Sequence, residues 1–87
     1  SMMDWMGEIG RSGDVQEIEV TSEEIVGRTI REVGPELPDD SLIVLVQREG
    51  ETHVPDADLT LQQGDRITII GGREEVREAI QYVHPDK

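Results

Sequence analysis

An unbroken apolar run, Leu42 to Val46, is the feature that most limits how this chain can fold. Branched aliphatic residues in direct succession are typical of a central strand that is covered on both faces of its sheet. A chain of 87 residues has room for one small domain, and such a domain buries only about 60% of its unfolded surface. Because few elements are available to cover both faces, we expect a second copy of the chain to cover one of them.

The pattern on either side of this run predicts an α+β domain, a small sheet with two helices in the order β-α-β-β-β-α. The segment from Val15 alternates apolar and acidic residues, which predicts a half-buried strand. Thr21 and Glu24 have the spacing of a capping box, so a helix is expected to begin there and to end at Gly34-Pro35. Gly27 lies inside that predicted helix and indicates a close approach between two backbone segments.

The second half of the chain predicts three strands and a helix. The central strand continues to Arg48 and turns back at Glu49-Gly50. The returning strand ends at Pro55, which lacks an amide donor and so favours an edge of the sheet. A further buried strand, 66–70, is expected to be broken by Gly71-Gly72. The last helix has one apolar face, made of Val76, Ala79, Ile80 and Val83.

Three segments follow from these patterns. Residues 1–14 are interpreted as a flexible linker that begins with the remnant of a cleaved purification tag, since Ser1 and Met2 precede Met3. Residues 15–84 form the domain. Residues 85–87 form a short C-terminal tail.

Charge and composition exclude several classes of function. The formal net charge is -12, so a basic patch for a nucleic-acid polymer is not expected. With no cysteine there is neither a disulfide framework nor a thiolate metal site. The longest apolar run is far shorter than a membrane span. No signal peptide is visible, which favours the cytoplasm and only an indirect link to a membrane. The acidic surface, with Lys87 as the one lysine, also suits a protein that works in concentrated salt.

No catalytic pattern is present, and we expect no enzyme and no cofactor. The serines lack a nucleophile elbow, and the two histidines, His53 and His84, lack neighbouring ligands at metal-binding spacing. Arg48 remains as a candidate binding residue at the end of the central strand. It is either a solvated surface cation or a bidentate donor to a phosphate or carboxylate.

Several segments, in their order and spacing, resemble the C-terminal domain of the RCK/TrkA regulators of potassium transport. The resemblance covers residues 17–81. It rests on Glu19-Val20-Thr21, on Pro55 and on three runs, which begin at Val26, Ile43 and Leu61 and stand in the sequence as VGRTIREV, IVLVQREG and LQQGDRITIIG. The N-terminal nucleotide-binding half of such regulators is not in this sequence.

The resemblance implies a dimerising, ligand-sensing domain of a potassium channel, transporter or cation/proton antiporter, and a candidate ligand, cyclic di-AMP, in the dimer cleft. A two-fold symmetric ligand on a two-fold axis receives every contact twice. Arg48 would hold a phosphate. Apolar residues of the central strand, either Val44 and Val46 or Ile43 and Leu45, would form the floor under the adenines. The neighbouring strand would supply His53, Val54 and Pro55.

Two other functions remain open on the sequence alone. The domain could serve only to dimerise the regulator of a transporter or antiporter, without a small-molecule ligand. It could instead sense a divalent cation through Glu51, Asp56 and Asp58, although these residues do not form a known calcium loop.

Overall fold

The computed structural model describes residues 13–85, and its elements confirm an α+β domain with the order β-α-β-β-β-α. The elements are β1 (Gly13–Glu19), α1 (Ile30–Val33), a 3₁₀ turn (Gly34–Glu36), β2 (Ser41–Arg48), β3 (Glu51–His53), β4 (Arg66–Gly72) and α2 (Arg73–Val83). Nearly all of the predicted linker and most of the predicted tail lie outside the described residues. Within this part of the chain, no helix combines the length and the apolar character needed to cross a membrane.

One antiparallel sheet with the strand order β1-β4-β2-β3 carries the core on one of its faces. Helix α2 packs against β1, β4 and β2, because its apolar face meets the apolar side chains of those strands. The long connections on either side of α1 and before β4 close the rest of the core. The buried core residues are Val20, Ile25, Val33, Leu37, Ile43, Val46, Leu61, Ile67, Ile69, Val76, Ala79 and Val83.

A β-bulge at Val44 decides which side chains of β2 face the core. Ile43 pairs with Ile69, but the next pair with β4 is Leu45 with Thr68, so Val44 is an extra residue in the ladder. Ile43 and Val46 therefore both point into the core, and Val46 is fully buried. The expectation that Ile43 shares a face with Leu45 is wrong, because the bulge interrupts the alternation on which it depended: Ile43 is buried, whereas Leu45 pairs with Thr68 on the other face.

The sheet face opposite α2 carries an apolar row that the described part of the chain leaves uncovered. Val15, Ile70 and Leu42 lie side by side on three neighbouring strands. The exposed fractions of Val15 and Leu42 are 51% and 61%, which is high for such side chains. The prediction that β2 presents apolar residues on both faces of the sheet is therefore confirmed.

The first helix is much shorter than the sequence pattern indicated. Thr21 is not its N-cap: the residues after it, 23–27, form only a turn. The turn ends at Gly27, whose φ is +88° and whose N–H donates to the Leu61 carbonyl at 2.8 Å. A capping box does occur, but at Thr29 and Glu32, where each side chain accepts from the other residue's backbone N–H. The left-handed conformation of Gly27 therefore prevents one continuous helix from Thr21 to Gly34.

Two glycines have roles other than those expected. Gly27 has a φ of +88°, and a β-carbon added to it would meet open space, so it is required by backbone conformation rather than by close approach. The close approach occurs at Gly71, where a β-carbon would collide with the carbonyl oxygen of Asp40 and lie 2.9 Å from the Cα of Ser41. Gly71 and Gly72 do not break the strand, because β4 continues through both and α2 follows at once.

We expect Gly71→Ala to lower the free energy of unfolding by about 1–3 kcal/mol, the usual cost of overpacking, since its methyl group would meet backbone and not a flexible side chain. Gly72→Ala is the matched control. Gly72 adjoins Gly71 and has an extended conformation that alanine adopts, and the nearest atoms to its added methyl group belong to the flexible Glu75 side chain, so this variant should lose less stability than Gly71→Ala. Urea denaturation measures both. Equal stability of the two variants would contradict the assigned role of Gly71.

Candidate functional site

The hairpin between β2 and β3 places Arg48 at the rim of the sheet. Glu49 and Gly50 have φ values of +52° and +80°, positive at both central positions, as in the turns whose twist suits a two-residue hairpin. The predicted turn at Glu49-Gly50 is thus confirmed. Arg48 pairs with Glu51, and Val46 pairs with His53, so β3 is a three-residue strand at the sheet edge.

Arg48 is held by Asp65, a carboxylate that is only 2% exposed. Its Nε donates to Oδ1 of Asp65 at 2.8 Å, and its Nη2 donates to Oδ2 at 2.7 Å. Nη2 also donates to the backbone carbonyl of Thr60 at 2.8 Å. The side chain is 26% exposed, so Arg48 is neither a solvated surface cation nor entirely enclosed.

Asp65 is fixed in turn by the chain around it. Its Oδ2 accepts from the backbone N–H of Gln62 at 2.9 Å, and its own carbonyl accepts from Val20 at 2.7 Å. Burial by itself would raise the pKa of Asp65, but the hydrogen bonds from Arg48 and Gln62 outweigh it and hold the pKa below its usual value. The carboxylate is therefore ionised at neutral pH, and the ion pair has a defined geometry.

A groove of ≈ 490 Å³ opens beside this ion pair. Its lining residues are Arg48, His53, Val54, Asp56, Asp58, Leu59, Thr60 and Gln62. The structure thus brings together three of the residues predicted from the sequence, Arg48, His53 and Val54. Val54 is 81% exposed, which leaves an apolar side chain in solvent at the mouth of the groove.

The other predicted site residues lie outside the groove lining. Pro55 follows Val54 and is half-buried. Val44 occupies the bulge and is also half-buried, whereas Val46 belongs to the core and offers no surface to a ligand. The predicted apolar floor from the central strand is therefore absent from this groove, and Leu59 is the apolar residue that lines it together with Val54.

Two of the three acidic residues considered from the sequence as possible cation ligands, Asp56 and Asp58, line the groove, whereas Glu51 does not. Asp58 accepts from Nη2 of Arg31 at 2.9 Å. Across residues 13–85 the structure has no group of three or more His, Cys, Asp or Glu side chains placed to hold a metal ion. Asp56 and Asp58 add negative charge to the lining of the groove.

A larger depression, ≈ 660 Å³, lies by the end of α2 and differs in its charge. It is lined by Thr21, Ser22, Glu23, Glu24, Gln81, Tyr82 and Pro85. Its charged lining residues are the two glutamates, so an anionic ligand would meet repulsion there. The smaller groove, which contains a guanidinium, is the better candidate for a phosphate-bearing ligand.

Asp65 was the main residue that sequence reasoning missed. It stands in the Gly64-Asp65 step before a buried strand, and Arg48 ends the strand that pairs with it. A carboxylate at the start of a buried strand needs a cationic partner. This requirement was the sequence signal that could have identified Asp65 as part of an ion pair. The spacing of 17 residues gave no indication that Arg48 was that partner.

The family model of the TrkA-C domain matches residues 15–84. The chain therefore belongs to the TrkA-C domain family. The resemblance read from the sequence is confirmed. Two uncharacterized transporters are similar over 70 residues: one from Symbiobacterium thermophilum at 31% identity and one from Corynebacterium glutamicum at 35%. A Trk system potassium uptake protein TrkA homolog of Methanothermobacter thermautotrophicus is 26% identical over 66 residues.

These matches cover most of this chain but a small part of the relatives. They include 80% of the chain for the two transporters and 76% for the TrkA homolog. The chain spans 13% of the length of each transporter and 30% of the TrkA homolog. In these relatives the TrkA-C domain is thus one part of a longer polypeptide.

Solved structures with similar folds include domains bound to a small nucleotide. An RCK domain with cda has a TM-score of 0.69 and 28% identity, over 80% of this chain and 97% of that chain. The RCK_C domain dimer of S. agalactiae BusR in complex with c-di-AMP has a TM-score of 0.71 and 26% identity, over 83% of this chain and 97% of that chain. BusR with promoter DNA is also similar, at 22% identity, a likeness that shows the fold alone.

We expect Arg48→Ala to lower the free energy of unfolding by about 3–5 kcal/mol, because it leaves the Asp65 carboxylate buried without its partner. The double variant Arg48→Met/Asp65→Leu removes both charges and should recover most of that loss. Urea denaturation at pH 7 measures all three proteins. A double variant as unstable as Arg48→Ala would contradict the view that the unpaired carboxylate is the cause.

The pH dependence of unfolding checks the same pair. Because folding lowers the pKa of Asp65, its contribution to stability is present above the unfolded pKa of about 3.9 and declines as the pH falls through the folded value. The double variant lacks this group. Its stability should therefore fall less steeply than that of the wild type below about pH 4.

Proposed function

We propose that this chain is a regulatory domain that senses cyclic di-AMP, dimerises around it and controls a cation transporter. The observation that carries the proposal is the fixed, partly exposed guanidinium of Arg48 beside the exposed side chain of Val54. Together they provide a charged donor for a phosphate and an apolar surface for a base. The relatives that bind c-di-AMP or cda consist almost entirely of this domain, which supports a complete ligand site within it.

The geometry favours a dimer whose two-fold axis passes close to the Arg48 groove. A symmetric ligand with two phosphates needs both copies of Arg48, so the axis must lie near β3 and the end of β2. Leu42, in the apolar row, is six residues away along β2, roughly 20 Å in a strand, and on the opposite face. A dimer formed through that row would keep the two grooves apart. We therefore place the interface at the β3 edge, with Val54 in it, and not across a face of the central strand as expected from the sequence.

The remaining parts of the proposal are partners and location. The curated relatives are transporters and a potassium uptake protein, so the regulated partner is a potassium channel, transporter or cation/proton antiporter at the cytoplasmic face of a membrane. Regulation then takes the form of ligand binding and not of catalysis. A nucleic-acid polymer is not part of the proposal, because the net charge of -12 repels a phosphate backbone.

Calorimetry with cyclic di-AMP tests ligand binding. We expect the wild type to bind, and Arg48→Lys to bind at least about tenfold more weakly, since lysine keeps a charge for Asp65 but removes a charge-assisted donor to phosphate. Arg66→Lys is the matched control. Arg66 lies on the opposite face of the sheet in a pair with Glu17, so its replacement should leave the affinity unchanged.

Ionic strength is the second variable in this experiment. Because the chain is strongly acidic, self-repulsion opposes both dimerisation and the binding of a dianion in dilute buffer. Molar potassium chloride screens charges over about 3 Å and should strengthen both. Absence of binding heat at low and at molar salt would refute the ligand and leave a domain that only dimerises.

Sedimentation in molar potassium chloride with cyclic di-AMP tests the interface. We expect a dimer for the wild type and for Leu42→Asp, but a monomer for Val54→Asp, since an ionised carboxylate at a buried contact is costly. Both residues are exposed in the single chain, so both variants should fold. Dissociation of Leu42→Asp with an intact Val54→Asp dimer would move the interface to the opposite face of the sheet.

A further inference from the structure

The hydrogen bonds of Arg48 leave one nitrogen of its guanidinium available to a ligand. The group has five N–H donors. Nε uses its one hydrogen on Asp65, and Nη2 uses its two on Asp65 and the Thr60 carbonyl. Nη1 donates to no other group within residues 13–85, so its two N–H groups are the ones that remain. Asp65 thus acts as a positioning residue that determines which donors of Arg48 a ligand can meet.

A single nitrogen cannot form the fork by which arginine usually grips an anion. Bidentate binding of a carboxylate or a terminal phosphate requires two parallel N–H groups on different nitrogens. The guanidinium has two edges that can form such a fork. On one edge, Nε and Nη2 both donate to Asp65. On the other edge, Nη1 has no available partner, because the second N–H of Nη2 donates to the Thr60 carbonyl. An oxygen of either kind of phosphate can accept from Nη1 alone. Without a fork, however, a terminal phosphate lacks the second charge-assisted bond that would offset its greater charge, whereas a phosphodiester with one negative charge needs less compensation.

The negative charges around the groove also favour a phosphodiester over a terminal phosphate. Asp56 lines it, and the carboxylate of Asp58 is only partly compensated by Arg31, whose side chain is 66% exposed. Repulsion from these aspartates grows with the charge of the ligand. A terminal phosphate, which carries up to two negative charges, is therefore repelled more strongly than a phosphodiester.

We infer that the Arg48 groove selects phosphodiesters over terminal phosphates, because Asp65 leaves Arg48 one donor nitrogen and the groove aspartates repel additional charge. The inference rests on the proposed nucleotide function and gives it a ligand class. It distinguishes a cyclic dinucleotide, in which both phosphates are diesters, from its linear hydrolysis product pApA. That product has the same two adenines but one terminal phosphate.

Calorimetry of the wild type with both dinucleotides is the test. We expect cyclic di-AMP to bind at least about tenfold more tightly than pApA, the fold-change expected if the terminal phosphate of pApA loses one charge-assisted hydrogen bond to Arg48. Equal affinities, or tighter binding of pApA, would overturn the inference while the proposed nucleotide function stands. If neither compound binds, the proposed function fails and this inference fails with it.

Cyclic di-AMP and pApA differ in shape as well as in charge, because one is a ring and the other is linear. Two variants distinguish a preference due to charge and donor number from a preference due to the shape of the ring. Asp56→Asn keeps the size and the hydrogen-bonding oxygen of the side chain, and should strengthen pApA binding more than cyclic di-AMP binding. Asp65→Asn weakens the grip on one edge of Arg48 and should likewise reduce the affinity ratio. The control, Glu78→Gln on exposed α2, removes an equal charge and should leave the ratio unchanged.

The ratio of the affinities for cyclic di-AMP and pApA is informative, because a purely structural role of Asp65 would lower the affinities for both ligands together and leave the ratio unchanged. Asp65 is 2% exposed and its replacement by Asn removes a buried ion pair, so thermal unfolding must show that this variant is folded at the assay temperature. If Asp65→Asn is not folded, the test rests on Asp56→Asn, whose position is exposed. An unchanged ratio in every folded variant would assign the selection to ring shape and overturn the inference.

Discussion

The ion pair between Arg48 and Asp65 connects the parts of this domain that form the Arg48 groove. It joins the end of β2 to the turn before β4, and through the Thr60 carbonyl it also anchors the connection that follows β3. A buried carboxylate is tolerated because its hydrogen bonds are complete. The interaction that stabilises the fold thus also gives the exposed edge of the guanidinium a defined direction.

The bulge at Val44 is the second constraint, and it acts on the shape of the sheet. Without the extra residue, β2 would alternate regularly, and Ile43 and Val46 would point to opposite faces. With it, both enter the core under α2, while Leu42 and Leu45 face the other side. The two surfaces of the central strand are therefore distinct: a packed face that continues toward Arg48, and an apolar row at the opposite end.

The acidic surface repels anions around the whole domain, including the region of Arg48. A domain with a net charge of -12 binds an anionic nucleotide only where a fixed cation offsets the general repulsion. Arg48 is a fixed cation of this kind, and Asp56 and Asp58 beside it would disfavour ligands of higher charge. Under the proposed function, the same charge balance would make both dimerisation and ligand affinity sensitive to salt.

The sequence by itself determined the elements whose signals are local: the central strand, the Glu49-Gly50 turn and the apolar face of α2. It also carried enough of the family's motifs to identify the domain. Tertiary structure alone decided the length of the first helix, because the N–H of Gly27 donates to the Leu61 carbonyl and not within a helix. It also decided the facing of Val46, because pairing with β4 inserts the bulge. It likewise selected Asp65 as the partner of Arg48. Such contacts join residues far apart in the chain, and no local period records them.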